Sequence, residues 1–155
     1  MTEKFSKKLK KAVTNTFNTH SARQTQKLGE ELAKSLKGGD VVFLKGDLGA
    51  GKTTFTQGLV KAFGNKRFLG SASFTLVNEY KAKDAKLFHI DLYRLSPSNI
   101  FDIGLDEYLD GENISVIEWP ERLGDAQNIA TYIIELEYGV DNERKITINK
   151  KAGNK

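Results

Sequence analysis

The chain of 155 residues has no cysteine, only two prolines, and a single methionine and tryptophan. Without cysteine there is no disulfide scaffold, no thiolate zinc site and no cysteine nucleophile, which accords with a reducing compartment. No apolar run approaches the roughly 20 residues needed to span a bilayer. The N-terminus lacks the uninterrupted apolar stretch of a secretory signal. A cytoplasmic location without membrane contact is therefore expected. Basic residues are missing between Arg94 and Arg122, where seven carboxylates stand: Asp102, Asp106, Glu107, Asp110, Glu112, Glu118 and Glu121. That stretch reads as a solvated acidic face or as a docking surface for a basic partner.

What is present suits one globular domain. Hydrophobic residues make up 39% and charged residues 28%, which excludes wholesale disorder. The net charge of +4 sits at the ends. Lys4, Lys7, Lys8, Lys10 and Lys11 face only Glu3 in the first eleven residues, and Lys150, Lys151 and Lys155 close the chain. Residues 12–149 hold 16 basic and 19 acidic groups, so the body is mildly acidic, which weakens any claim that the body itself grips nucleic acid. Residues 1–20 are expected to be a mobile basic extension, 21–149 a single domain, and 150–155 a basic tail. Phe5, Leu9 and Val13 recur every four residues among lysines, so a short amphipathic helix is the alternative for the extension.

Ser21 and Gln24 have capping-box spacing. A helix follows with Leu28, Leu32, Ala33 and Leu36 on one face, ended by Gly38-Gly39. Val41 to Leu44 is a continuous apolar run, as expected of a strand buried on both faces. A second helix runs to about Phe63, with Gly64 as its C′ residue. Strands are expected at 74–80, 86–91, 114–117, 131–138 and 144–148, a helix between Ser98 and Leu109, and a hairpin around Asp141-Asn142. This alternation predicts an α/β fold of the P-loop NTPase type, three layers around a central, mostly parallel but mixed sheet.

Gly46-Asp47-Leu48-Gly49-Ala50-Gly51-Lys52-Thr53 fits G-x-x-x-x-G-K-[ST] and lies between a strand and a helix. Glycines let backbone N–H groups turn inward around a dense anion. The helix start adds unpaired N–H groups and partial positive charge. Lys52 reaches the β- and γ-phosphates, the Thr53 hydroxyl suits Mg2+, and Thr54 suits the α-phosphate. No N-K-x-D segment for reading guanine occurs, since Asn65-Lys66 is followed by Arg67-Phe68, so ATP is preferred to GTP.

Such a loop needs a carboxylate at the end of a nearby strand. Ile114 to Glu118 and Leu87 to Asp91 are both apolar strands ending in an acid. One acid serves the metal and the other positions water, and spacing does not assign the roles. The hydroxyls of Ser71 to Thr75 could sense a γ-phosphate or cap a turn. His89 could be packed or catalytic, Arg94 could meet phosphate or an acid, and Trp119 could line the nucleotide or the core.

Gly46 to Thr54, Ser71 to Tyr80, His89-Ile90-Asp91-Leu92-Tyr93-Arg94-Leu95 and Ile117-Glu118-Trp119-Pro120-Glu121 together resemble the TsaE (YjeE) family. These are bacterial ATPases required for threonylcarbamoyladenosine formation in tRNA. The likeness runs from about Ser21 to Ile148. It implies a small P-loop ATPase that binds ATP and Mg2+, hydrolyses ATP slowly alone, and acts with a TsaB–TsaD heterodimer that makes most of the tRNA contacts. By the resemblance, Lys52, Asp91 and Glu118 form the catalytic set, and Thr53 and Glu118 hold the metal. Asp47, Leu48, Gly49, Ala50, Gly51, Lys52, Thr53 and Thr54, with Thr25, Trp119 and Arg144, bind the nucleotide. The chain departs from the family in having Ala72-Ser73 where Pro-Thr is usual, and no proline around Ile129-Ala130-Thr131. Two other functions share the loop. A small-molecule kinase would need an acceptor pocket and an arginine-bearing lid, whereas a non-catalytic module would use ATP only for assembly.

Overall fold

The computed structural model describes residues 14–72, 75–96 and 104–151. Seven strands form one sheet: β1 (Thr14–Thr19), β2 (Val41–Lys45), β3 (Val77–Ala82), β4 (Ala85–Asp91), β5 (Ile114–Glu118), β6 (Tyr132–Tyr138) and β7 (Arg144–Lys150). Their order is β1-β7-β6-β2-β5-β4-β3. β2 is parallel to both β5 and β6, and β4 is parallel to β5. The flanking pairs β3–β4, β6–β7 and β1–β7 are antiparallel. The sheet is thus mixed, with its parallel pairs at the centre, as an α/β P-loop fold requires.

Helix α1 (Ala22–Ala33) begins where the sequence predicts. The Ser21 hydroxyl accepts from the Gln24 N–H at 3.1 Å, and Gln24 Oε1 accepts from the His20 N–H at 2.8 Å. It ends at Ala33, before the predicted Gly38-Gly39 stop. Those glycines serve close approach instead: a Cβ on Gly38 would lie 2.3 Å from the Glu112 carbonyl oxygen. Helix α2 (Lys52–Ala62) ends at Phe63, and Gly64 takes φ +87 just beyond it.

α1 and α2 cover one face of the sheet and press Leu28, Leu32, Phe55 and Leu59 against it, each at most 1% exposed. Burial of each such side chain contributes about 1.5–3 kcal/mol. Gly29 and Gly58 let the helices meet: a Cβ on Gly58 would stand 1.9 Å from the Gln26 carbonyl oxygen. The other face is covered by shorter pieces, α3 (Leu105–Tyr108) and the 3-10 segment Pro120–Ile129, over Phe43, Phe88, Ile90 and Ile117. Of the helix predicted between Ser98 and Leu109, only this four-residue turn lies among the described residues.

One expectation is corrected outright. The composition predicts that residues 14–19 belong to a mobile extension, yet they form edge strand β1, paired antiparallel to β7 from Thr14–Asn149 to Thr19–Arg144. The segment Thr-Asn-Thr-Phe-Asn-Thr has one apolar residue, so periodicity misses it. Its backbone pairing supplies the order that its side chains do not advertise. The amphipathic pattern at Phe5, Leu9 and Val13 lies outside the described residues. Among the described residues, no helix is long and apolar enough to cross a membrane.

Candidate nucleotide-binding site

The site stands at the C-terminal ends of β2, β4 and β5. The chain leaves β2 at Lys45, turns through residues 46–51 and enters α2 at Lys52. Gly49 and Gly51 have φ +81 and +111, angles that side chains rarely adopt. The first N–H groups of α2 therefore face the turn without helical partners, the arrangement that favours an anion.

Neighbouring strands add the acids. Asp91 ends β4 and Glu118 ends β5, and the two are direct partners in the parallel register. They are 3% and 4% exposed. Both line a cleft of about 190 Å3 together with Gly49, Gly51, Lys52, Thr53, Thr54 and Trp119. The Tyr93 N–H donates to Asp91 Oδ1 at 2.9 Å, which orients that carboxylate. Glu118 Oε2 lies 2.5 Å from His89 Nε2.

Lys52 is buried. Its ammonium donates to the Gly46 carbonyl at 2.7 Å and sits 3.9 Å from the centre of the Trp119 ring. Burial pushes its pKa below the usual lysine range, although Glu118, Asp91, Glu121 and Asp47 pull it upward. A polyanion beside it would reverse the balance. Trp119 itself has φ +59 immediately before Pro120, a strained backbone for an aromatic residue. That conformation sets its indole against Lys52 and Tyr93, whose ring centre is 5.0 Å away.

A second cavity of about 310 Å3 borders the loop, lined by Ser21, Thr25, Gly49, Gly51, Thr54, Asn142 and Arg144. Gly49, Gly51 and Thr54 border both cavities, so one elongated ligand could lie across them. The Thr25 hydroxyl is held at 2.7 Å from that of Thr19. The Arg144 guanidinium lies 4.7 Å from the centre of the Tyr138 ring.

Residues 19–146 match the family described as "Threonylcarbamoyl adenosine biosynthesis protein TsaE". The chain belongs to the TsaE family. It is 44% identical over 133 residues to the tRNA threonylcarbamoyladenosine biosynthesis protein TsaE of Aquifex aeolicus, covering 84% of this chain and 92% of that protein. The protein of the same name from Bacillus subtilis is 36% identical, with 84% and 82% covered. The crystal structure of Bacillus subtilis YdiB superposes with a TM-score of 0.74 at 32% identity, covering 90% of this chain and 86% of that one.

In this TsaE-family chain, Lys52, Thr53, Thr54, Asp91, Glu118 and Trp119 share one cleft, and Thr25 and Arg144 share the adjoining one. Leu48 borders the first cleft while its side chain is largely exposed. Ala50 is fully buried and offers only backbone. Asp47 lines a separate groove with Glu121, Glu135 and Glu137, so its side chain is not placed with the others. Ser71 lines the cleft, whereas Ser73 and Phe74 lie outside the described residues. Ala130 has φ −67, the angle a proline would lock.

Among the described residues, no three His, Asp or Glu side chains converge to hold a metal alone. One hydroxyl and one or two carboxylates suit Mg2+, which takes its remaining ligands from phosphate and water. Sequence reasoning missed Tyr138, whose hydroxyl donates to the Leu48 carbonyl and so braces the loop. Tyr138 is at the end of β6, and only the β2–β6 pairing brings it to the loop.

Proposed function

We propose that this TsaE-family chain is an Mg2+-dependent ATPase, slow by itself, that supports a TsaB–TsaD heterodimer in threonylcarbamoyladenosine modification of tRNA. The observation that carries this reading is the single cleft in which the phosphate loop, Lys52, Asp91 and Glu118 meet. The names of its relatives supply the pathway.

Loop N–H groups and Lys52 bind the β- and γ-phosphates. The cost of burying the ammonium is met before the ligand arrives, so the cation needs little rearrangement to act. Thr53 and Glu118 would hold Mg2+, and the bound cation would supply positive charge to offset that of the phosphates. Asp91, fixed by the Tyr93 N–H, orients the attacking water, and the products are ADP and phosphate. Thr25 and Arg144 face the nucleoside end. Trp119 shields the cleft beside Lys52. The mildly acidic body leaves most tRNA contacts to the partners.

Phosphate release is measured from the chain alone and during titration with the purified heterodimer. A low basal rate that rises with partner is expected, and a flat titration with active partners would defeat the reading. Asp91→Asn is expected to lower hydrolysis about 100-fold, with ATP affinity held within about threefold because the phosphate donors remain. Calorimetry beside the rate assay checks the split, and an equal loss in both would remove Asp91 from the water-orienting role.

A further inference from the structure

The cleft uses two carboxylates, and the chain orients them differently. Asp91 is tied to its own turn through the Tyr93 N–H. Glu118 is tied across strands, by a side chain from β4. His89 precedes Asp91 by two residues, so both point to the same face of β4. In register His89 sits opposite Val116 and Asp91 opposite Glu118, which places the imidazole diagonally behind the Glu118 carboxylate. The Nε2–Oε2 separation is 2.5 Å, and the two side chains are 0% and 5% exposed. A carboxylate only accepts, so Nε2 donates. Among the described residues, the other ring nitrogen, Nδ1, is buried with no hydrogen-bond partner. A buried ring nitrogen without a partner costs stability, so packing alone does not explain the imidazole. Among the described residues, this ring bonds one side chain, that of Glu118.

We propose that His89 is a positioning residue that pins Glu118 Oε2 within the sheet and thereby presents the other carboxylate oxygen to the cation. This rests on the reading of Glu118 as a metal-holding group. Removing the imidazole lets the carboxylate rotate, so the cation loses a prepared ligand while phosphate and base contacts stay. Outer partners of this kind typically alter metal affinity 10–100-fold.

The test is calorimetry of ADP binding to the full chain, with Mg2+ and with EDTA, in wild type, Glu118→Gln, His89→Leu and His89→Gln. His89→Leu should lose about tenfold of the affinity that Mg2+ adds, and its affinity in EDTA should stay within about twofold. His89→Gln should recover most of the gain, because its amide can donate from a similar point. Full Mg2+ gain in His89→Leu, beside a loss in Glu118→Gln, overturns the inference alone. Equal losses with and without Mg2+ in both His89 variants also overturn it and leave a purely structural histidine. No Mg2+ gain in wild type defeats the metal reading and this inference together. Should His89→Leu not fold, 15N NMR of wild type decides. The His89 Nε2 resonance should move with Mg2+ and ADP but not with ADP in EDTA, and an unmoved resonance overturns the proposal.

Discussion

The two ends of the parallel strands carry similar residues in opposite circumstances. At the N-terminal ends, polar side chains are consumed by the chain itself. Asp40 Oδ2 accepts from the Lys37 N–H, the Thr131 hydroxyl accepts from the Val41 N–H, and Asn113 Oδ1 accepts from the Lys86 N–H. Asp110 accepts from the Glu112 and Asn113 N–H groups, which hold its carboxyl below the usual range. At the C-terminal ends, Asp91 and Glu118 line a cleft, a lysine is buried against its preference, and a tryptophan takes a positive φ. The same strands thus offer one end that closes loops and one that gathers charge and backbone strain around a cleft. Ligands of open α/β sheets bind beyond the carboxyl ends of the strands, the end at which this cleft opens.

Lys52→Met should break the contrast most strongly. ATP affinity is expected to fall about 100-fold or more, roughly 2.8 kcal/mol, because the principal side-chain cation at the phosphates is gone. The melting temperature of the nucleotide-free protein should not fall. The folded state lowers the Lys52 pKa, so the ammonium costs stability below that pKa and the cost fades as pH rises through it. A methionine removes this cost at every pH. Calorimetry and a thermal melt read both effects, and a melting temperature several degrees lower would contradict the account.

Gly49→Ala is expected to have an intermediate effect. An alanine at φ +81 costs about 1–2 kcal/mol, and its Cβ would stand 2.5 Å from the Tyr138 hydroxyl oxygen. Nucleotide affinity should drop about tenfold as the loop deforms. Adding Tyr138→Phe should restore part of it by removing the obstructing oxygen. Additive losses in the double variant would show that the brace and the turn act independently.

At the quiet end the smallest change is expected. Burial raises the Asp40 pKa despite the Lys37 N–H, so the folded state holds its proton more tightly than the unfolded chain does. The stabilising contribution of the protonated form is present below about pH 4 and is lost as pH rises through the raised folded value. Asp40→Asn should therefore melt about 2 °C higher at pH 7, with the difference shrinking towards pH 4, and nucleotide affinity should be unaffected. A pH-independent difference would show that the charge is not responsible.

Much of this was legible in residue order. Gly46 to Thr53 places a phosphate loop between strand and helix because the motif needs neighbours close in sequence. Ser21 and Gln24 mark the start of α1 for the same reason. Asp91 and Glu118 were candidates because each ends an apolar run. Strand β1 was not legible, because its order comes from pairing with β7 at the other end of the chain. Tyr138 was not, because nothing local distinguishes a tyrosine that braces a loop 90 residues away. Residue order does not decide between packing and chemistry for His89, since its partner Glu118 is 29 residues distant.

Local covalent and hydrogen-bonding rules act over a few residues, so order alone determined the loop, the helix starts and the identity of the acids. Sheet register acts between distant segments. Only the packed structure therefore decided that Asp91 and Glu118 stand side by side, that an imidazole backs one of them, and that the lysine waits on an indole held at an unfavourable backbone angle.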